Sequence, residues 1–344
     1  MVCCGPLPKS PNDSKPSRQR CKSKVSAFPP DPFSGCCGID NSLVAKIVGS
    51  ITKLHKDICS TANSNVGTHD PKLLVNCKPS TNKALKLLSL VSGGTATGIY
   101  DYPWIVQIEY LTNATIEFKC EGILISGRYV LTAAHCFNED MTQDIFHRTH
   151  VRLGEYDTTS DPDCVIVEGG GVDCADKIVR IAIEEIIVHS LVRDGKNDIA
   201  LIRLKETAPF TDFIRPICLP TVDITKLPAN KTDMLFVAGW GATETEKRST
   251  VKMHVDVPYV PREVCQPKYY NVNLWEKQIC AGGVTGKDSC TGDSGGPLMY
   301  ENRRTFELIG IVSFGSPVCG ATGVPAIYTH VLTYNDWIRK QIRP

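Results

Sequence analysis

The pattern of apolar and polar positions divides the chain near residue 90. Residues 1–90 are rich in Pro, Ser, Lys and Cys with little apolar periodicity, so this segment cannot bury a sizeable core. From Val91 to about residue 330, short β-rich runs alternate with Gly, Pro and Asn turns, and residues 105–110 alternate with period two. Residues 335–342 carry an apolar stripe that predicts a terminal helix. The pattern predicts an all-β barrel domain over residues 91–344, preceded by a cysteine-rich segment over residues 1–90.

Composition narrows the function classes. A net charge of +1 gives no indication of a nucleic-acid partner, and no apolar run is long enough to predict a membrane span. The 16 cysteines are too many for a reducing cytosol and are not spaced as zinc ligands, so we expect secretion. The start Met1-Val2-Cys3-Cys4 has no signal-peptide core, and we therefore expect a truncated N-terminus or an incomplete gene prediction. Three glycosylation sequons begin at Asn12, Asn113 and Asn230.

A candidate nucleophile, Ser294, lies in the glycine-rich run of residues 288–297, DSCTGDSGGP. A serine hydroxyl is a weak nucleophile at neutral pH, so it needs a base and an orienter for that base. His135 and Asp198 precede it, the aspartate at the edge of an apolar run where it would be costly to bury unpaired. The run also fits the Gly-x-Ser-x-Gly pattern of α/β-hydrolases, but those enzymes have the chain order Ser, Asp, His, whereas the order here is His, Asp, Ser.

With these three motifs in this order, residues 91–344 resemble the chymotrypsin-like serine proteases. The resemblance implies two six-stranded antiparallel Greek-key barrels with a C-terminal helix. It also implies that His135 is the general base, that Asp198 orients it, and that Ser294 attacks the substrate. The amides of Gly292 and Ser294 would form the oxyanion hole, and no cofactor would be required for the chemistry.

The same resemblance implies a basic primary specificity. Asp288, six residues before Ser294, occupies the position of the pocket base, where a buried carboxylate favours an Arg or Lys side chain. Ser313 and Gly315 resemble the strand that pairs with the substrate backbone. Ala326 occupies a position where glycine is commoner in the family. We expect its methyl group to reduce the space in the pocket and so to alter the preference between Arg and Lys or the rate of cleavage.

The disulfides follow from the resemblance, because sequence alone cannot give their connectivity. The pairs within the protease domain would be Cys120–Cys136, Cys164–Cys174, Cys265–Cys280 and Cys290–Cys319. Cys218 needs a partner outside that domain. We expect Cys77, which would keep the light chain, residues 1–90, attached after cleavage.

The loop around Cys164 and Cys174 resembles the prophenoloxidase-activating and Easter-like proteases of arthropod haemolymph. It is acidic, and related proteases bind calcium there. The candidate ligands are therefore Glu155, Asp163 and Asp173, since calcium prefers several oxygen ligands. The alternative is a loop of solvated carboxylates with no ion.

The light chain partly resembles a CLIP module, on its adjacent cysteine pairs; a disordered linker is the alternative. The resemblance also implies activation by a cut that frees an apolar N-terminus, whose ammonium pairs with Asp293. Val91-Ser92-Gly93-Gly94 resembles that N-terminus, which predicts a cut between Leu90 and Val91 by an enzyme preferring a large apolar residue. A cut after Lys86 would leave a start four residues too long. Lys46-Ile47-Val48-Gly49 looks like an activation site but lacks the expected strand downstream.

These observations predict a secreted protease zymogen of an innate-immunity cascade, either melanisation or Toll signalling. Its expected partners are an upstream activating protease, a downstream zymogen and a serpin inhibitor. Two alternatives remain: a digestive protease, which would not ordinarily need the light chain, and a protease-like binding cofactor, which would usually lack the serine.

Overall fold

A computed structural model of the protein describes most of residues 91–344 and a short part of residues 1–90. The described residues are 26–34, 36–40, 94–111, 115–137, 147–167, 171–227, 235–242, 248–270, 272–285, 292–302, 305–316 and 320–344. Two β-structures dominate them, as the sequence predicts.

The first β-structure is a closed barrel of six antiparallel strands in the order β2-β3-β4-β9-β8-β5. Its strands are β2 (Ile105–Leu111), β3 (Ile116–Leu124), β4 (Tyr129–Thr132), β5 (His147–Leu153), β8 (Val179–Val188) and β9 (Ala200–Leu204). A short hairpin of β6 (Cys164–Val167) and β7 (Gly171–Cys174) stands outside the barrel. His135 lies just beyond the end of β4, and Asp198 lies just before the start of β9.

The second β-structure is an eight-stranded sheet in the order β1-β11-β10-β14-β15-β16-β13-β12, not a closed six-stranded barrel among the described residues. Its strands are β1 (Thr95–Ala96), β10 (Leu235–Gly239), β11 (Met253–Val257), β12 (Tyr259–Val260), β13 (Gln278–Gly282), β14 (Pro297–Asn302), β15 (Thr305–Phe314) and β16 (Pro325–His330). A short helix α1 (Arg262–Cys265) precedes β13. Ser294, the predicted nucleophile, lies three residues before β14, which pairs with β10 and β15.

The predicted terminal helix is α2 (Asn335–Gln341), whose Ile338 is fully buried in the core around the first barrel. The alternation in β2 does not separate a buried face from an exposed face. Gln107 and Glu109, the polar members of the pattern, are also fully buried. Glu109 tolerates burial because Arg180 donates two hydrogen bonds to its carboxylate, at 2.8 and 2.6 Å.

The light-chain anchor is Cys37, not Cys77: Cys37 and Cys218 form a disulfide with an S–S distance of 2.09 Å. The prediction of a Cys77–Cys218 bond is therefore wrong, and Cys77 lies outside the described residues. Gly38 extends the contact, since its amide donates to Pro216 O at 2.9 Å and its carbonyl accepts from the Phe306 amide at 2.8 Å. A Cβ on Gly38 would lie 2.2 Å from Phe306 O, so only glycine permits this close approach.

Three of the predicted disulfides are confirmed: Cys120–Cys136, Cys164–Cys174 and Cys265–Cys280. The predicted pair Cys290–Cys319 lies outside the described residues. In the part of the chain that the structure describes, no helix has the length and hydrophobicity needed to cross a membrane.

Candidate active site

The centre of the candidate site is the contact between His135 and Asp198. His135 lies in a 3₁₀ turn, Ala134–Phe137, that the Cys120–Cys136 disulfide ties to β3. Its Nδ1 lies 2.8 Å from Asp198 Oδ2, and its backbone amide donates to Asp198 Oδ1, also at 2.8 Å. The carboxylate therefore fixes both the ring and the backbone of the histidine.

Asp198 is 3% exposed, and two further side chains hold it. The Ser313 hydroxyl donates to its Oδ2, and the Thr329 hydroxyl donates to its backbone carbonyl at 2.7 Å. From the sequence, Ser313 was predicted to pair with the substrate backbone, and its side-chain bond to Asp198 was not foreseen. Thr329 was missed altogether, because nothing in the sequence connects it with a residue so distant along the chain.

Ser294 is half-buried between the strands that lead to the other two residues. The Glu121 amide donates to Ser294 O at 2.8 Å, and the Gly295 amide donates to Val312 O at 3.0 Å, next to Ser313. Gly295 has a φ of +79°, and a Cβ there would lie 2.2 Å from Thr132 Oγ1 at the end of β4. Ser294 is therefore held between the end of β4, which leads to His135, and β15, which carries Ser313.

A cleft of about 360 Å³ opens beside this centre. It is lined by His135, Val192, Arg193, Asp194, Gly195, Asp198, Ser313 and Phe314. Beyond Phe314, Gly315 is exposed, and a Cβ on it would lie 3.4 Å from the Cβ of buried Ala326. These two predicted pocket residues are therefore neighbours. Asp288, the predicted pocket base, lies outside the described residues.

Asp293, the predicted partner of the new N-terminus, is 8% exposed and accepts from the Gly241 amide at 2.8 Å. It lines a narrow cavity with Val237, Ala238, Gly239, Gly241, Ala242, Met253, His254 and Val255. Strand β1 pairs along this cavity, because Thr95 lies opposite His254 and Ala96 opposite Met253. Leu90 and Val91 lie outside the described residues.

Sequence reasoning missed Glu121, which is fully buried beside Asp293. Burial, with the nearby Asp293 carboxylate as the next cause, raises the pKa of Glu121 well above its ordinary value. The sequence did contain a signal: Glu121 directly follows Cys120 within a strand, so burial of that part of the strand also buries the carboxyl group.

Two of the predicted calcium ligands, Glu155 and Asp163, meet at the Tyr156 amide, which donates to Glu155 Oε1 at 3.1 Å and to Asp163 Oδ2 at 2.9 Å. Asp163 accepts from the amides of Tyr156 and Asp157, both at 2.9 Å, and from the Ser160 hydroxyl at 2.7 Å. Asp173 accepts from the Tyr100 hydroxyl, and Glu155 accepts from Arg152. Among the described residues, the sole cluster with metal-ligand proximity is Cys120, His135 and Cys136, whose cysteines are already disulfide-bonded. Calcium binding by the acidic loop stays a prediction.

Comparisons with known proteins agree with this geometry. The family described as Trypsin matches residues 91–338. The phenoloxidase-activating enzyme of Bombyx mori is 40% identical over 363 aligned residues, which cover 100% of this chain and 72% of the relative. The Spaetzle-processing enzyme of Drosophila melanogaster is 36% identical, with 90% of this chain and 81% of the relative covered.

A solved structure is similar as well. The crystal structure of the Drosophila Grass clip serine protease of the Toll pathway has a TM-score of 0.62 and 35% sequence identity. The similarity covers 73% of this chain and 72% of that one. The resemblance predicted from the sequence is confirmed, and the homologues include proteases of immune cascades. The chain belongs to the trypsin family of serine proteases.

Proposed function

We propose that this protein is a secreted endopeptidase zymogen that, once activated, cleaves after Arg or Lys in an extracellular innate-immunity cascade. The observation that carries the proposal is the pair of 2.8 Å contacts from His135 to the buried Asp198 carboxylate. An imidazole held in this way has one nitrogen committed to the carboxylate and the other available as a base. The serine of the same motif set follows in the chain order of the family.

In the proposed mechanism, His135 Nε2 removes the Ser294 hydroxyl proton as Ser294 Oγ attacks the scissile carbonyl carbon. The amides of Gly292 and Ser294 bind the oxyanion that forms. His135 then gives its proton to the leaving amine, and a water molecule repeats the sequence to release the acid product. Asp198 stabilises the imidazolium in both halves, and Ser313 keeps that carboxylate in place through its hydroxyl.

The proposed specificity rests on Asp288 as the base of the primary pocket. A buried carboxylate leaves an unpaired charge unless the substrate supplies a cation, so neutral side chains are disfavoured. A Cβ on Gly315 would lie 3.4 Å from the Ala326 Cβ, and this proximity supports a role for the Ala326 methyl group in narrowing the pocket mouth. We expect basic specificity to be retained, with an altered ratio of Arg to Lys cleavage.

Secretion is supported by the four disulfides within the described residues, which require an oxidising compartment. The relatives named for activating phenoloxidase and for processing Spaetzle support a downstream zymogen as substrate. An activating protease acts upstream in this proposal, and a serpin is the expected inhibitor. The Cys37–Cys218 bond would keep the light chain attached after activation.

The proposed activating cut lies between Leu90 and Val91. Because Thr95 pairs with His254 at the wall of the Asp293 cavity, a start at Val91, four residues before Thr95, is about 13 Å of extended chain from that strand. A start at Leu87 would be four residues longer.

A second activation route is favoured by the disulfide at Cys37, which lies shortly before Lys46 in the sequence. Joining Gly49 directly to Gly94 would create Ile-Val-Gly-Gly after Lys46. A form of the chain that lacks residues 50–93 should therefore be activated by trypsin between Lys46 and Ile47. Trypsin treatment and N-terminal sequencing of the two forms compare the routes: activity of the full chain with Leu87 or Ile47 at its start would overturn the Leu90–Val91 cut.

The enzymatic proposal is tested with an active-site phosphonate. The Leu90→Arg chain, cut by trypsin, should be labelled covalently at Ser294, and its Ser294→Ala counterpart should not. On a peptide panel the cut enzyme should prefer Arg and Lys, and Asp288→Ser should remove that preference. A cut chain that takes up no label, or that cleaves only after Phe or Leu, would contradict the proposal.

A further inference from the structure

Glu121 is a buried acidic residue that the proposed mechanism does not use. Its side chain is fully buried, and its backbone amide donates to the carbonyl oxygen of Ser294 at 2.8 Å. Its Oε1 accepts from the Trp240 amide at 2.6 Å, whereas its Oε2 has no hydrogen-bond partner among the described residues. A carboxyl group in this situation needs either a proton or a nearby cation.

The Asp293 carboxyl group occupies the same space. Consecutive backbone amides hold the two acids, with Trp240 donating to Glu121 and Gly241 donating to Asp293. A Cβ on Gly239 would lie 2.3 Å from Glu121 Oε2 and 2.7 Å from Asp293 Oδ1, so both oxygens surround one point. Asp293 faces the cavity, and Glu121 lies directly behind Gly239 in the cavity wall.

Glycines, which have no side chain, leave the space that the two carboxyl groups occupy. A Cβ on Gly241 would lie 2.4 Å from the Asp293 carboxyl carbon, and one on Gly296 would lie 3.0 Å from Glu121 Oε2. With Gly239 at the end of β10, three glycines on two separate segments of the chain therefore leave space for two carboxyl groups. Any side chain at Gly239 or Gly241 would collide with an acid, so the arrangement is a built feature of the fold.

Two basic residues face Glu121 from neighbouring elements. Arg248 Nη2 lies 4.0 Å from Glu121 Oε1, beyond hydrogen-bond distance, while Arg248 Nη1 donates to Phe118 O. Lys252 is buried, with its Nζ 5.7 Å from the centre of the Trp240 ring. Burial raises the pKa of Glu121, Asp293 raises it further, and Arg248 and Lys252 oppose this only in part. Among the described residues, Glu121 therefore has no cation within hydrogen-bond distance of its carboxyl group.

We propose that Glu121 acts with Asp293 as a two-carboxyl receptor for the primary ammonium of the new N-terminus. Asp293 contacts the ammonium from the cavity, and Glu121 supplies a second negative charge from behind Gly239. When the ammonium enters, Glu121 loses its proton to solvent. Glu121 is therefore a positioning residue. It acts on the oxyanion hole through Asp293 and through the hydrogen bond that its own backbone amide donates to Ser294 O. This inference rests on the proposed activation by a freed N-terminus.

The predicted consequence concerns the alkaline limit of activity. An α-amino group has an ordinary pKa of about 7.7–8.0, and neighbouring carboxylates raise it because they stabilise the charged form. Activity that depends on the ammonium is present below that pKa and is lost as the pH rises through it. Removing one of two negative charges should lower the pKa, so activity should be lost at a lower pH.

The test compares activated enzymes that carry Leu90→Arg alone, with Glu121→Gln, or with Glu307→Gln. Glu307 is a matched control, because it is also buried but accepts from Thr221 and Asn302, away from Asp293. We expect Glu121→Gln to move the alkaline limb of kcat down by about one pH unit, with the activity at pH 7 largely kept. The control substitution Glu307→Gln should not shift the alkaline limb of kcat. Coincident limbs for all three enzymes would overturn the inference.

A second measurement does not depend on catalysis. In the cut Ser294→Ala chain, cyanate carbamylates the N-terminal amine only in its neutral form, so the rate against pH, followed by mass spectrometry, gives the pKa of the amine. Glu121→Gln should lower that pKa by about one unit and Glu307→Gln should not. If every activated enzyme is inactive, the proposed function fails, and the amine titration still decides the role of Glu121. An unchanged amine pKa refutes that role even in a fully active enzyme.

Discussion

Two carboxyl groups are buried close to the nucleophile's segment, and their surroundings differ sharply. The Asp198 carboxylate accepts three hydrogen bonds, from the amide and ring of His135 and from the Ser313 hydroxyl. The Glu121 carboxyl group accepts one, from the Trp240 amide, and its other oxygen has no partner among the described residues. Both side chains are at most 4% exposed, so the contrast lies in their partners and not in their burial.

We interpret this difference as a division between the proposed catalytic residues and the proposed activation site. Donors on β15 and on the histidine turn already satisfy Asp198, so its region is assembled within the described structure. The region of Glu121 and Asp293 has two acids and no cation within hydrogen-bond distance of Glu121 among the described residues. A buried pair of this kind is stable only when a charge or a proton completes it. We therefore expect substitutions at Asp198 to affect the chemical step and substitutions at Glu121 to affect how the site responds to pH.

The largest effect is expected for Asp198→Asn. The introduced side-chain amide can donate a hydrogen bond to His135 Nδ1, which favours the tautomer that carries its proton on Nε2. This wrong tautomer lowers kcat by about 10⁴-fold in this type of site. The check is kcat on an Arg peptide, with circular dichroism to confirm folding. Asp212→Asn, at a partly exposed aspartate paired with Arg215, is the matched control and should keep its activity. A folded Asp198→Asn enzyme within tenfold of wild type would remove Asp198 from the mechanism.

A smaller effect is expected for Ser313→Ala, which deletes one donor to the Asp198 carboxylate. The loss of a hydrogen bond to a charged group is worth about 1.5–3 kcal/mol, so kcat/KM should fall at least about tenfold. Thr329→Val is the control, because Thr329 donates only to the backbone carbonyl of Asp198. It should lower thermal stability and leave kcat nearly unchanged. Equal losses of activity in both variants would show that the hydroxyl of Ser313 has no specific link to the carboxylate.

The smallest effect is expected in the stability of the uncut chain against pH. Because the pKa of Glu121 is raised in the folded state, the folded protein keeps a proton that the unfolded carboxyl group loses above its ordinary pKa of about 4.5. Folding stability should therefore decline as the pH rises from that value towards the raised one. Glu121→Gln has no such proton, so its melting temperature should fall less between pH 5 and pH 8. Parallel curves for wild type and variant would mean that Glu121 is not held protonated.

Much of the fold could be predicted from the sequence, but the reach of the prediction differed between elements. The terminal helix and three disulfides followed from local pattern and from the family resemblance. The burial of Gln107 and Glu109 did not, because a period-two pattern gives the two faces of a strand and not what covers each face. The second β-structure proved to be an open eight-stranded sheet among the described residues, since strand pairing depends on long-range contacts.

The choice of disulfide partner for Cys218 also depends on long-range contacts that the sequence does not give. Cys77 and Cys37 both precede the protease domain, and their distance along the chain does not distinguish them. The choice depends on Gly38, whose backbone hydrogen-bonds to Pro216 and Phe306 at a distance that excludes any side chain. That contact brings Cys37, and not another cysteine, within bonding distance of Cys218.

The sequence by itself determined the residue types and the chain order of His135, Asp198 and Ser294, because nucleophilic catalysis by serine needs those side chains and the motifs around them are local. It could not determine which further groups meet them. Ser313 and Thr329 reach Asp198, and Glu121 reaches Asp293, only when strands far apart in sequence pack together. Burial and hydrogen-bond supply are properties of that packing, so the tertiary structure alone decided that one buried acid is satisfied and the other is not.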